Sequence, residues 1–273
     1  MNDKKPTSLS PVLFIPHGGG PLPLLGDPAH ESLIIFLKKI ASQLGKPSAI
    51  LLISAHWEEA IPTLTGGLHP EIIYDYYGFP AETYEIKYPA PGDPELAQKV
   101  VDLLAESGTQ ARIDNSRGYD HGLFVPLTLM YPDAEIPCVQ LSMCDDLKPE
   151  THIAMGKALA ALRQDNVLIV GSGLSFHNMN LFFSPSQESR NKSIEFDKWL
   201  LDTCSSSSYS TTERERRLVE WKNAPSASFC HPREEHLLPL HVCFGLATQR
   251  SPIADVVFNE DVLGHRVTGF LWS

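Results

Sequence analysis

Residues 49–57 read AILLISAHW, a short apolar run bounded by turn residues and closed by a histidine and a tryptophan. A run of this length that lacks helical spacing predicts a fully buried strand, here Ala49–Ser54, with His56 just beyond its end. The same design recurs on both sides. Upstream, VLFIPHGGGP predicts a strand at Val12–Ile15 followed at once by His17, and downstream NVLIVGSGLSFHN predicts one at Val167–Val170 with His177 following. Ile136–Leu141 is a fourth such run. Helical patterns lie between them. In Glu31–Leu44 the apolar positions Leu33, Ile34, Leu37, Ile40 and Leu44 share one face, and a second helix runs from Pro94 to a stop at Gly108. Pro149–Arg163, Glu188–Cys204 and Thr211–Trp221 are further helices, and Ala254–Phe258 and Val267–Trp272 are closing strands. Strands that alternate with helices in this way predict a layered α/β fold.

The 273 residues suffice for one domain, and the expectation is a single catalytic unit over 1–273. The serine-rich stretch 204–212, CSSSSYSTT, reads as a flexible insertion loop on the surface. With 22 basic against 33 acidic residues the net charge is −11, the wrong sign for a chain that would bind nucleic acid by neutralising phosphates. The five cysteines are odd in number and form no C-x-x-C pair, which argues against both a disulfide framework and a thiolate zinc site. The apolar run near the N-terminus is too short for a signal peptide, and no stretch approaches 18 apolar residues. The expected setting is the cytoplasm, with no membrane partner.

The chemistry is concentrated in histidine, of which there are 11. In an open α/β sheet the carboxyl ends of the strands line the ligand crevice, so His17, His56 and His177 are placed to converge there. Two further segments offer histidines: GYDHG, with Asp120 and His121, and HPREEHLLPLH, with His231, His236 and His241. Neutral imidazoles gathered in one crevice bind a divalent metal. Each piece also has a plainer reading. A histidine after a strand is commonly a hydrogen-bonded structural residue. Three glycines are commonly a tight turn, and these lack the lysine of a phosphate loop. HPREEHLLPLH also reads as an amphipathic helix with Leu237, Leu240 and Phe244 inward and its histidines at the surface. Its His236 and His241 are five apart, not the i, i+4 spacing of two zinc ligands on one helical face.

Taken in order, PHGGGP, ISAHW, YPAPGDPELA, GYDHGLFVPL, IPCVQLSM, GSGLSFHN and HPREEHLLPLH resemble the class III extradiol ring-cleaving dioxygenases, closest to the 4,5-DOPA extradiol dioxygenase branch. The resemblance covers about residues 12 to 248. It implies a single α/β domain with a mixed central sheet flanked by helices on both faces, and a mononuclear non-haem metal. His17, His56 and His236 match the metal ligands, with His231 the less favoured histidine of its segment. His177 matches an acid/base residue that in some members also reaches the ion, and His121 one that either supports the ligands from behind or contacts substrate. The chain departs from the family at PHGGGP, where many members carry a serine after His-Gly.

The implied reaction is Fe(II)-dependent cleavage of a catechol by O2 to a muconic semialdehyde, with Zn(II) an expected occupant of purified protein. Three neutral imidazoles also suit a catalytic zinc, so a zinc hydrolase is one competing reading, and a non-enzymatic binding protein on the same scaffold is another. Glu58, Glu234 and Glu235 lie near the ligand motifs without a spacing that places any of them on the metal. Trp57, Tyr74, Tyr119 and Phe176, as neighbours of the motifs, are the candidate substrate contacts. Arg117 and Arg233 are the candidate cations for a carboxylated substrate.

Overall fold

The computed structural model describes residues 9–182, 184–250 and 252–273. The first eight residues, which carry part of the N-terminal reading, lie outside the described residues. Among the described residues eight strands form one sheet: β1 (Val12–Pro16), β2 (Ala49–Glu59), β3 (Thr63–Thr65), β4 (Arg112–Asp114), β5 (Cys138–Cys144), β6 (Val167–Gly173), β7 (Asp255–Val262) and β8 (His265–Trp272). The helices are α1 (Glu31–Leu44), α2 (Pro94–Glu106), α3 (His121–Met130), α4 (Pro149–Ala158), α5 (Met179–Phe182), α6 (Gln187–Ser205), α7 (Thr211–Val219), α8 (Ala227–Cys230) and α9 (Leu238–Ala247).

The strand order is β4-β3-β5-β2-β6-β1-β8-β7. β5, β2, β6 and β1 run parallel at the centre, whereas β8 is antiparallel to β1 and β3 is antiparallel to β5. The sheet is therefore mixed. Its parallel centre is covered on both faces, which is why those strands read as continuous apolar runs instead of alternating ones. Ile50, Leu51, Leu52 and Ile53 are wholly buried, as are Val12, Leu13, Phe14 and Ile15. Each such side chain contributes about 1.5–3 kcal/mol relative to exposure.

The parallel order brings the carboxyl ends of β1, β6 and β2 side by side at one rim, with Pro16 paired to Gly173 and Ser54 to Ser172. β2 continues past its predicted end at Ser54 to Glu59. Its register with β5 shifts between Ile53 and Glu58, so His56 lies in an irregular, bulged stretch of the strand and not after it. Bulges re-aim side chains and are common beside functional sites.

Two predicted features change, and one helix appears that was not predicted. The helix expected across HPREEHLLPLH begins only at Leu238, and His231, His236 and His241 are all buried, not at the surface. α9 is buried all round, and its one titratable residue besides a buried cysteine, His241, has its ring nitrogens against the Leu237 and Leu218 carbonyls instead of solvent. α3 is similarly buried on nearly every side and contains Pro126, which hides it from a periodicity reading. In the serine-rich stretch, Cys204 and Ser205 close α6 and Thr211 opens α7, leaving Ser206–Ser210 between them. Among the described residues no helix is long and apolar enough to cross a membrane. All five cysteines are free and buried.

Candidate metal centre

His17 follows β1 directly and is buried. Its Nδ1 lies 3.1 Å from Ser172 Oγ at the end of β6, and the Ser172 hydroxyl donates to the Gly122 carbonyl at 2.5 Å. A carbonyl only accepts, so the single hydroxyl proton is committed there and His17 must donate through Nδ1. That fixes the tautomer and leaves the Nε2 lone pair free. His17 Nε2 is 3.0 Å from His56 Nε2. His236 completes the group: one ligand nitrogen from each of His17, His56 and His236 lies within 4.8 Å of the others.

His236 reaches the site from the segment between α8 and α9, which lies across the end of β6. The Leu174 amide donates to the His236 carbonyl at 3.0 Å, and a Cβ at Gly173 would fall 2.2 Å from that same oxygen. Glycine at 173 is what lets the two segments touch. The His236 ring stacks on that of His177 with centroids 3.3 Å apart and planes 13° apart. One carboxylate serves both, because Glu235 Oε1 is 3.0 Å from His236 Nδ1 and 3.0 Å from His177 Nδ1.

A matching arrangement stands opposite. His121, the first residue of α3, has its Nδ1 2.9 Å from Asp75 Oδ1, and its backbone amide donates to the same oxygen at 3.0 Å. Asp75 Oδ2 is 3.8 Å from His56 Nδ1, and the rings of His56 and His121 lie 3.8 Å apart. Behind them, the buried Asp120 accepts from Ser54 Oγ at 2.8 Å, from the Gln140 side chain and from Arg117 at 3.3 Å, tying β2, β5 and α3 together at the rim.

Burial, reinforced by the neighbouring imidazoles, holds His17, His56 and His236 well below the usual histidine range, so all three are neutral at neutral pH. Burial raises Asp75, but its contact with His121 outweighs this and leaves it below the usual carboxylate range; the contact with His177 does the same for Glu235. The centre is thus neutral imidazoles backed at Nδ1 by hydroxyl or ionised carboxylate. This is the outer arrangement that orients metal-binding histidines. The His17 Nε2 lone pair faces His56 Nε2 at 3.0 Å, a gap that a proton on His56 or a shared cation fills, and three neutral imidazoles this close are a donor set that fits a divalent metal with affinity for nitrogen.

A cavity of about 490 Å³ opens onto the histidines. The backbone of Gly18–Gly20 forms one wall, and Tyr76, Tyr77, Phe79, Met179 and Phe182 form much of the rest. A second, more polar recess of about 400 Å³ reaches the same His56, His177 and His236 from the side of Glu58, Arg233 and Glu235. The centre therefore has an apolar approach and a polar one.

His17, His56, His121, His177 and His236 converge, while other candidates do not. His231 points its Nε2 at the Ser175 carbonyl, 2.9 Å away. Trp57, Tyr74, Tyr119 and Phe176, read as substrate contacts, lie outside the residues that line the cavity. Tyr119 donates to the Cys138 carbonyl at 2.7 Å in the core, and Phe176 stacks on His265 at 4.0 Å. Tyr74 donates to the Ile86 carbonyl, and Trp57 lies under the Arg117 guanidinium. Arg117 is occupied by Asp120, whereas Arg233 stands at the polar recess in a two-pronged pair with Glu58 at 2.5 and 2.6 Å. The sequence reading left Glu235 unplaced and missed Asp75, Tyr76, Tyr77 and Phe79. Asp75 belongs to IIYDYYGFP, which has no regular period. It is brought to the site by bridging of Ile72 to Tyr119.

Comparison with known proteins agrees with this geometry. Residues 11–271 match the family described as the catalytic LigB subunit of aromatic ring-opening dioxygenase. The chain is 41% identical to the dioxygenase tasH of Hapsidospora irregularis, across 97% of this chain and 86% of that one. It is 41% identical to a 4,5-DOPA dioxygenase extradiol of Beta vulgaris, across 93% and 92% of the two chains, and 34% identical to one of Escherichia coli K12, across 89% and 87%. A crystal structure of an uncharacterized Escherichia coli K12 protein superposes with a TM-score of 0.77 at 28% identity, covering 97% of this chain and all of that one.

Proposed function

This chain belongs to the family of the catalytic LigB subunit of aromatic ring-opening dioxygenases and is an extradiol dioxygenase, and we propose that its substrate is a catechol, cleaved with O2 to a muconic semialdehyde. Enzymes of this family depend on a metal, and we assign it to His17, His56 and His236, with Fe(II) the active ion and Zn(II) an expected occupant of purified protein. Bound there, a ferrous ion supplies open positions for both hydroxyl oxygens of a catechol and for O2, and the redox couple that links them.

The protein's own groups do the rest. The apolar wall of Tyr76, Phe79 and Phe182 takes the aromatic ring and excludes water from it. His177, with Nδ1 against Glu235, lines the same cavity and is assigned the acid/base role: its other nitrogen accepts a phenolic proton and later returns one to the departing oxygen. Stacking on His236 and the shared Glu235 hold that ring in place. His121, oriented by Asp75, contacts the substrate or its oxygen from the opposite side.

The observation that carries this reading is the convergence of His17, His56 and His236 with the Nε2 atoms of His17 and His56 turned on each other at 3.0 Å. The test is oxygen uptake by protein reconstituted anaerobically with Fe(II), mixed with a panel of catechols while the visible absorbance of a ring-opened semialdehyde is followed. Zn(II) protein is run in parallel. Uptake with a new chromophore in the iron form alone is the expected result; full iron occupancy without uptake across the panel refutes it, and turnover by the zinc form without oxygen would point to hydrolysis instead.

A further inference from the structure

The glycine wall of the cavity is held from behind by a histidine that takes no part in the centre. His30, wholly buried just before α1, sits with Nδ1 2.8 Å from Asp27 Oδ1, and its Nε2 accepts the Gly19 amide at 3.0 Å. Asp27 Oδ1 also accepts the Ala29 amide, so the carboxylate is an acceptor toward both groups. His30 must then donate through Nδ1, which leaves Nε2 as the acceptor that Gly19 requires. The contact is close-packed: a Cβ at Gly18, where φ is +88°, would fall 3.0 Å from His30 Cδ2 and 2.6 Å from Pro23. The loop therefore has no slack on its outer side, and its inner side faces the cavity.

We propose that Asp27, His30 and the Gly19 amide form a clamp that fixes the glycine wall, and that His30 is thereby a positioning residue governing how tightly the aromatic substrate is held. The proposal rests on the catechol reading above. His17, although next to the loop, is anchored separately by β1 and Ser172, so the clamp acts on the wall and not on metal binding. A short glycine loop has no side chains of its own to define its shape, and an unanchored loop loses that shape first. Removal of the acceptor behind Gly19 lets the wall relax away from the ring, and the loss falls on ground-state binding.

The test uses Fe(II)-loaded protein under anaerobic conditions, titrated with 4-nitrocatechol while its visible spectrum is followed, together with metal content and steady-state kinetics. His30→Leu keeps the buried site apolar and removes the acceptor. It is expected to weaken 4-nitrocatechol binding and raise KM by about tenfold, with kcat reduced by no more than about threefold and metal content retained. His30→Gln, whose amide oxygen can accept from Gly19, is expected to recover most of the affinity. Asp27→Ala, at a partly exposed position where folding is not at risk, should show a smaller rise of about two- to fourfold. Equal affinity in wild type and both His30→Leu and Asp27→Ala overturns the clamp, as does loss of metal alongside affinity. Absence of any spectral change in the wild-type protein overturns the catechol reading itself, and the clamp with it.

Discussion

Two populations of buried histidine share this protein, and they differ in whether the scaffold has also taken the Nε2 nitrogen. In His30, His152, His231, His241 and His265 the Nε2 atom is engaged by the chain: by the Gly19 amide, the Cys144 amide, the Ser175 carbonyl, the Leu218 carbonyl and the Ser189 hydroxyl. In the rim group it is Nδ1 that has a partner. Ser172 stands at His17, Glu235 at His177 and His236, and Asp75 at His121 and, at 3.8 Å, His56. The first group staples segments together. The second has its nitrogens held from outside, so that the inward ones are left for something the protein does not itself supply. Burial alone does not separate the groups, since His231 and His236 are almost equally hidden. Partner chemistry does.

Substitutions should break this contrast in a graded way. The largest effect is expected for His17→Ala, His56→Ala and His236→Ala, each of which should empty the centre of metal and lower turnover by roughly 10³-fold or more, the scale of several kcal/mol of metal assistance. Metal analysis of the purified variants checks this, and a variant with full metal leaves the ligand set. His177→Ala comes next: metal and catechol binding should persist while turnover falls by roughly 10²-fold or more. A rate near wild type would remove the acid/base role. Glu235→Gln keeps the shape but weakens the acceptor behind two rings at once, and should cost roughly 10- to 100-fold in metal affinity or activity. Metal titration separates the two outcomes.

The scaffold histidines should respond in stability and not in metal. Burial lowers His231 to about 3 and His241 to about 4, with the backbone carbonyl contacts opposing the shift. Their folded values lie below the unfolded value of about 6.5, so below that pH the unfolded chain takes up protons that the folded chain refuses. Stability is therefore fully present above about pH 6.5 and declines as pH falls toward 4, by roughly 1.4 kcal/mol per pH unit for each histidine. Urea unfolding of wild type and His231→Gln at pH 7, 6 and 5 should show a shallower decline in the variant, with its metal content intact. Loss of metal in His231→Gln would mean that the two groups had been divided wrongly.

The sheet was the most legible part of the chain. Strands such as Val12–Pro16 and Val167–Gly173 are buried on both faces, so their apolar runs appear in the sequence without any knowledge of neighbours. β3 and β4, three residues each, and the largely buried α3 carry no such period. In the site, the histidines at strand ends were visible because a strand end is itself visible. The aromatic wall was not: nearness in sequence suggested Trp57, Tyr119 and Phe176, but side chains next to a ligand residue alternate away from it, and these enter the core.

Local chemistry thus determined the layered α/β class and the histidine-rich motifs that carry the family resemblance, because both depend on residues within a few positions of each other. What only the tertiary structure decided is which nitrogen of each imidazole is free. That choice rests on partners far away in the chain, such as Ser172 for His17, 155 residues on, and Asp75 for His121, 46 residues back. The sheet order β2-β6-β1 and the packing of the 75–79 segment bring them together. A histidine's identity is local, but its tautomer is set by whatever the fold places behind it.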